Sequence, residues 1–160
     1  MQTQIKPNTK NILSIHPETR ISTVTLTVAN LGDQIDFYQG ALGFLPRKQE
    51  NNRVIIGSED KDLLELVEDP TANRVQGVTG LYHFAVLLPN RRELARAIAR
   101  LYALGITNNP TDHVLTKTTY LNDLEGNGIE LYCESPEDGS WSFKNGEYIT
   151  RRHFGYWQRL

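Results

Sequence analysis

The sequence repeats one pattern twice, and each copy ends on a strand-like segment that carries a glutamate. The copies span 23–67 and 82–132. They are offset by 60, 62 and 65 residues at three pairs of equivalent positions: Thr23 and His83, Gly43 and Gly105, and Glu65 and Glu130. An internal duplication places equivalent positions around a shared pseudo-symmetric centre. The repeat therefore predicts that four polar residues meet there: Thr23, Glu65, His83 and Glu130.

Each copy has the periodicity of a strand, a helix and three further strands. Val24, Leu26 and Val28 alternate with threonines, which is the pattern of a half-buried strand. The helix that follows is predicted to begin at Asn30 or Asp33, and the second helix is predicted to begin at Asn90. The order βαβββ twice indicates an α+β fold. In this fold two tandem modules form a curled, cup-like mixed sheet with the helices on its outer face.

Length and turn signals divide the chain into one domain that is flanked by an N-terminal arm and a C-terminal tail. A chain of 160 residues fits one compact unit. We expect a flexible N-terminal arm at 1–19, a domain at 20–136 and a C-terminal tail at 137–160. Within the domain, module 1 covers 20–69 and module 2 covers 81–136. They are separated by a linker at 70–80 that is rich in turn-forming residues.

Composition favours small-molecule chemistry. The formal net charge of −2 and the pI near 6.1 give no electrostatic reason to expect nucleic acid or an acidic membrane as partner. The apolar run 84–88 is too short to span a bilayer, and 1–19 lacks the apolar stretch of a signal peptide, so a cytoplasmic protein is predicted. Cys133 is the single cysteine, which leaves histidine and carboxylate as available metal ligands.

Strand alternation places the repeated polar residues on the face opposite the apolar one. His83, Glu65 and Glu130 are therefore predicted to bind a divalent metal such as Fe, Mn, Ni or Zn, and an incomplete protein shell would leave positions for substrate. Structural roles remain as alternatives. His83 can be held by a hydrogen bond in the fold, and both glutamates can pair with arginine or lysine instead, Glu65 in particular with Arg47, Arg53 or Lys61.

Two further residues of module 2 are candidates for catalysis. His113 lies near the start of a predicted strand, where it can act as an acid or base or contact the substrate. Tyr120 can donate a hydrogen bond to a bound oxygen anion. For both residues, a purely structural hydrogen bond is the alternative.

Several motifs carry a family resemblance. They are Leu26-Thr27-Val28-Ala29-Asn30-Leu31, then Phe37-Tyr38 and Leu42-Gly43-Phe44, and later the run from Asn122 to Leu131 (NDLEGNGIEL). With these motifs the chain resembles the vicinal oxygen chelate superfamily, which includes glyoxalase I, extradiol dioxygenases and bleomycin resistance proteins. Gly80 to Pro89, Asp112-His113-Val114 and Tyr120-Leu121 look more narrowly like the amino-terminal half of bacterial catechol 2,3-dioxygenases.

The resemblance implies both a ligand set and two possible functions. Metal-dependent members place ligands on the first and fourth strands of each module, which here are Thr23, Glu65, His83 and Glu130. Thr23 departs from that pattern, because a neutral hydroxyl binds metal weakly. The first expectation is a metal-dependent, dioxygenase-like protein that acts on a small substrate with vicinal oxygens. The alternative is a metal-free binding protein of the bleomycin-resistance type. Relatives of this size often pair, so a homodimer is possible.

Overall fold

The computed structural model describes residues 15–152 except 74 and 76. The first module forms a four-stranded sheet in the order β1-β4-β3-β2. Strands β1 and β4 are parallel, whereas the other neighbours are antiparallel. The elements are β1 (Val24–Val28), α1 (Leu31–Phe37), a π-helical turn (Tyr38–Leu42), β2 (Leu45–Glu50), β3 (Arg53–Gly57) and β4 (Asp62–Glu68).

The second module repeats this arrangement in the order β5-β8-β7-β6, again with the first and fourth strands parallel. Its elements are β5 (Phe84–Leu87), α2 (Arg91–Ala103), β6 (Asn109–Asp112), β7 (Thr116–Asn122) and β8 (Gly128–Glu134). The α+β class and the duplicated order are therefore as the sequence predicts. In the described ranges each module contributes its own four-stranded mixed sheet, and no strand pairing joins the two sheets.

The predicted C-terminal tail at 137–160 contains regular structure in its described part. A 3-10 turn (Pro136–Asp138) leads into an antiparallel hairpin of β9 (Gly139–Lys144) and β10 (Glu147–Arg152). Asn145 and Gly146 connect these strands with φ of 54° and 85°. Positive φ at both central residues matches the right-handed twist of a hairpin, which explains why an Asn-Gly pair forms this turn. Residues 1–14 of the predicted arm and 153–160 of the tail lie outside the described residues.

Both helices begin at the asparagines that the sequence indicates. Asn30 Oδ1 accepts a hydrogen bond from the Asp33 N–H at 3.0 Å, and Asn90 Oδ1 accepts one from the Glu93 N–H at 3.1 Å. Each cap satisfies a backbone donor that has no partner within its helix. The helices then bury apolar side chains against the sheets, and this core includes Val28, Leu31, Leu66, Leu94, Leu101, Ile129 and Leu131. Among the described helices, none has the length and apolarity needed to cross a membrane.

Module 2 contacts the start of the first helix through a glutamate. Glu125 lies in the turn between β7 and β8, and both of its carboxylate oxygens accept the Ala29 N–H, at 2.8 and 2.9 Å. The Asn30 N–H also donates to Glu125, at 3.1 Å. A carboxylate is stabilised at a helix N-terminus by these free donors and by the helix dipole. The turn of one module thus holds the helix of the other.

Candidate functional site

The centre of the candidate site is a close polar contact between His83 and Glu130. His83 immediately precedes β5, and Glu130 lies on β8 opposite Ala85 of the parallel β5. The distance between His83 Nε2 and Glu130 Oε2 is 2.9 Å. The side chains are 27% and 15% exposed, so the pair is partly screened from water and still open to a ligand. His83 Nδ1 is buried and has no hydrogen-bond partner within the described part of the chain.

A glycine allows this close approach. A Cβ atom placed on Gly128, the first residue of β8, would be 2.2 Å from the Tyr82 carbonyl oxygen and 3.0 Å from the His83 Cβ. Real Cβ contacts are never that short with a backbone atom, so any larger residue would push the 82–83 backbone away. The absence of a side chain at Gly128 therefore allows the backbone of His83 to lie close to β8.

Two hydroxyl groups hold the other oxygen of Glu130. Strand β7 is antiparallel to β8, with Tyr120 directly opposite Glu130, and Thr118 is two residues earlier on the same face. Thr118 Oγ1 and the Tyr120 hydroxyl each donate to Glu130 Oε1 at 3.0 Å. Glu130 is thus fixed by three side chains, which is how a partly buried carboxylate remains stable inside an apolar strand.

His113 extends the network to a second histidine. It occupies the tight turn between β6 and β7, where Val114 has a φ of 72°. His113 Nε2 is 3.1 Å from the Tyr120 hydroxyl. A β-branched residue is strained at positive φ, and such strain persists only where the surrounding structure fixes it. One connected chain therefore runs through His83, Glu130, Tyr120 and His113.

The environment of Tyr120 keeps its hydroxyl protonated. Burial, followed by the hydrogen bond to Glu130 and the charge of that carboxylate, raises the pKa of Tyr120 above its ordinary value of 10.0. Tyr120 is thus a hydrogen-bond donor at neutral pH. It lies with His83 in the wall of a pocket of about 390 Å³, together with Tyr82, Asn109, Thr111 and Asn122.

The structure does not bring Glu65 to this pair. Glu65 lies on β4 of the other sheet, where its Oε2 accepts a hydrogen bond from Thr25 at 2.9 Å and its Oε1 lies 3.1 Å from Arg53 Nη1. The ion pair with Arg53 is one of the alternatives that the sequence left open for Glu65. Thr23 precedes β1 instead of lying within it.

A metal centre needs more donors than this cluster supplies. Across residues 15–152, omitting 74 and 76, no three His, Cys, Asp or Glu side chains are grouped closely enough to hold a metal ion. His83 and Glu130 supply two strong donors, whereas metal sites with an open position usually take three from the protein. The described residues do not fit a complete metal centre.

Sequence reasoning missed Thr118, the second donor to Glu130. The signal was present, because Thr118 and Tyr120 are two residues apart on one strand and therefore share a face. Their register with Glu130, however, depends on the length of the 123–127 turn, which the sequence pattern does not determine.

The fold is that of solved glyoxalase-type structures. A glyoxalase/dioxygenase from Nostoc punctiforme matches with a TM-score of 0.65 and 16% identity, over 79% of this chain and 98% of that one. A lactoylglutathione lyase from Agrobacterium tumefaciens matches with a TM-score of 0.59 and 20% identity, over 74% and 96% of the two chains. At these identities the likeness establishes the fold alone.

Sequence comparison gives the family. The profile described as "Glyoxalase/Bleomycin resistance protein/Dioxygenase superfamily" matches residues 20–131, so this chain belongs to that superfamily. It is similar to a catechol-2,3-dioxygenase from Bacillus subtilis (strain 168), with 39% identity over 139 residues. The match covers 85% of this chain and 49% of the relative, so the chain spans about half the length of that protein.

Proposed function

We propose that the pocket of module 2 binds a small aromatic molecule with vicinal oxygens, of the catechol type. The observation that carries the proposal is the connected chain of His83, Glu130, Tyr120 and His113, which reaches the wall of this pocket at His83 and Tyr120. Such a chain offers both donors and acceptors to two neighbouring oxygens. The 39% identical relative, a catechol-2,3-dioxygenase, supports the same class of ligand.

The residues of the pocket suit such a ligand in shape as well as in polarity. Tyr82 is 87% exposed, and its ring lies 4.9 Å from the His83 ring, centroid to centroid. A planar ligand can stack on this exposed ring while its oxygens reach Tyr120. Asn109 and Asn122 add amide groups to the pocket wall. Most of the pocket wall is therefore polar or aromatic, and Leu121 and Ile129 supply its aliphatic part.

The chain of side chains can also move a proton. A ligand hydroxyl placed beside Glu130 can donate its proton to Oε1 or Oε2, and the Tyr120 hydroxyl can then turn to donate to the ligand oxygen. His113 Nε2, 3.1 Å from that hydroxyl, is placed to exchange a proton with it. Glu130, Tyr120 and His113 are thus proposed as acid–base groups, and His83 as the residue that holds Glu130.

Ligand titration tests the proposal. Catechol should bind the wild-type protein saturably in calorimetry, and phenol, with one oxygen, should bind more weakly. Glu130→Gln and Tyr120→Phe should each weaken catechol binding about tenfold, the value of a hydrogen bond to a charged group. Glu134→Gln and Tyr102→Phe are the matched controls, because Glu134 ends β8 on an exposed position and Tyr102 is 61% exposed on α2. Equal binding of catechol by wild type and Glu130→Gln would refute the proposal.

A second candidate is a metal-dependent site, and its metal would be Fe, Mn, Ni or Zn. It is favoured by the 2.9 Å approach of His83 Nε2 and Glu130 Oε2, the two strong donors at positions that the resemblance assigns to ligands. A third donor is needed, and Glu65 would have to leave Arg53 and Thr25 to provide it. Elemental analysis after incubation with each metal tests this candidate. Stoichiometric metal that is lost in His83→Ala and kept in His16→Ala supports this candidate. Absence of bound metal in the wild type would contradict it and favour a metal-free binding protein. Homodimerisation stays a prediction.

A further inference from the structure

A second cleft lies between the two modules, away from the pocket of His83. It measures about 900 Å³ and shares no lining residue with that pocket. Its walls are mostly apolar and come from both modules, with Leu42, Phe44 and Leu64 on one side and Phe84, Val86 and Leu88 on the other. A volume of this size lies within the range that holds small ligands.

The internal duplication explains why this cleft is open. Asn30 and Asn90 are equivalent N-caps, so Ala29 corresponds to Pro89. The duplication gives two equivalent places where the turn of one module can contact the helix start of the other. At one of them the Ala29 N–H donates to Glu125 of the β7–β8 turn. Pro89 has no N–H to donate, so the turn between β3 and β4 cannot make the same bond there. Among the described residues no hydrogen bond joins that turn, 58–61, to Pro89 or Asn90.

Two cations stand at the margin of this apolar cleft. Lys61 belongs to its lining. The Arg100 guanidinium lies over Gly43, also in the lining, because a Cβ atom on Gly43 would be 2.6 Å from Arg100 Nη1. In the described part of the chain neither Lys61 nor Arg100 has a carboxylate within salt-bridge distance, whereas Arg47, Arg53, Arg91, Arg92, Arg96, Lys48 and Lys117 do.

From this combination we propose that the cleft binds an amphipathic monocarboxylate, such as a medium-chain fatty acid, with its apolar chain between the modules and its carboxylate at Lys61 and Arg100. Apolar walls stabilise the chain by removing it from water, and the two cations can form charge-assisted hydrogen bonds with the carboxylate.

Asp60 gives a further test of carboxylate binding, because it is an anion in the lining of the same cleft. Its carboxylate accepts a hydrogen bond from Ser58 Oγ at 2.8 Å, and this bond is the main cause of the lowered pKa of Asp60. Asp60 is therefore charged at neutral pH and repels a carboxylate ligand. Asp60→Asn should strengthen binding of the acid and leave binding of the alcohol unchanged.

Calorimetric titration with decanoate, decanol and acetate tests the proposal on the whole protein. Decanoate should bind at one site, decanol about tenfold more weakly, and acetate not measurably. Lys61→Gln and Arg100→Gln should each reduce the affinity for decanoate and leave that for decanol the same. Leu87→Trp should fill the cleft, because Leu87 is 53% exposed and belongs to its lining, whereas the exposed Leu124→Trp is the matched control outside it.

Two results would overturn the proposal. One is the absence of saturable decanoate binding by the wild type. The other is binding that Leu87→Trp and both charge variants leave unchanged, which would place decanoate elsewhere. Glu130→Gln should keep full affinity for decanoate, so this test and the catechol test can fail separately.

Discussion

The hydroxyl of Tyr38 donates to Asp123 Oδ2 at 3.0 Å across the boundary between the two modules. Tyr38 is fully buried in the π-helical turn after α1, and Asp123 is only 6% exposed. Asp123 also accepts the N–H groups of Glu125 and Asn127 and the Asn127 side-chain amide. One buried carboxylate therefore shapes the β7–β8 turn and anchors it to module 1.

Replacing Tyr38 with Phe should lower stability at neutral pH and change its alkaline dependence. The pKa of Tyr38 is raised above its ordinary value of 10.0. Burial is the largest cause, and the charge of Asp123 is the next. A folded-state pKa above the unfolded one means a contribution to stability that is complete below pH 10 and is lost as the pH rises beyond it. Tyr38→Phe should lower the free energy of unfolding by about 1–2 kcal/mol at pH 7. Above pH 10, the free energy of unfolding of the variant should decline less steeply with pH than that of the wild type. Urea unfolding at pH 7, 9, 10 and 11 measures both effects.

The control for this prediction is Tyr102→Phe. Tyr102 is 61% exposed on α2, so its removal should leave both the stability at pH 7 and the alkaline slope as in the wild type. An alkaline slope that Tyr38→Phe leaves unaltered would show that another group titrates there.

Removing the Glu125 carboxylate should weaken the contact between the modules. Glu125→Ala leaves the N–H groups of Ala29 and Asn30 without this acceptor, which costs about 1–3 kcal/mol. Glu125→Gln keeps one acceptor oxygen, so its stability should lie between that of Glu125→Ala and that of the wild type. Hydrogen exchange should show faster exchange at Ala29 and Asn30 in both variants. The neighbouring Leu124→Ala, at a 61% exposed position, is the comparison, and an equal loss there would assign the effect to the turn as a whole.

Asp138 should anchor the β9–β10 hairpin through two cations. It is 7% exposed, and its Oδ2 lies 2.5 Å from Arg91 Nη2 and 2.5 Å from Lys117 Nζ. Hydrogen bonds from Arg91 and then Lys117 lower the pKa of Asp138 below 3.8. A lowered folded-state pKa gives stability that is present above pH 3.8 and disappears as the pH falls below it.

Asp138→Asn should therefore cost about 1–3 kcal/mol at pH 7, and this difference from the wild type should shrink as the pH falls below 3.8 toward the lowered pKa of Asp138. Urea unfolding at pH 7, 5 and 3 measures the difference. Glu137→Gln is the control, because Glu137 also contacts Arg91, at 2.9 Å, but is 43% exposed. An exposed ion pair contributes little, so its loss should be within about 0.5 kcal/mol. A difference for Asp138→Asn that is as large at pH 3 as at pH 7 would mean that the carboxylate charge is not its cause.

The duplicated fold could be predicted because the repeat interval, the alternation in the strands and the asparagine caps are local signals. The pairing of sheets is not local. Thr23 and His83 were assigned to the first strands, whereas β1 begins at Val24 and β5 at Phe84. The two sheets have separate hydrogen-bonding ladders, so equivalence in the sequence did not bring Glu65 to His83 and Glu130.

Within module 2, strand pairing across one short turn places Tyr120 opposite Glu130. The hairpin at 139–152 was missed although Asn145-Gly146 is a strong hairpin signal. The boundary of the expected tail at 137 says nothing about what the next residues form. The roles of His113 and Tyr120 in catalysis stay predictions.

Gly128→Ala should separate the geometry of the candidate site from the stability of the fold. The added Cβ would be 2.2 Å from the Tyr82 carbonyl oxygen, so the 82–83 backbone must move and His83 with it. We expect shifted NMR signals of the His83 ring and at least about tenfold weaker catechol binding, since the ring no longer meets Glu130 at hydrogen-bond distance. Gly80→Ala, where no atom lies within 4 Å, should keep both the signals and the affinity. If Gly128→Ala binds catechol as the wild type does, the position of His83 does not control the pocket, and the proposed chain loses its first member.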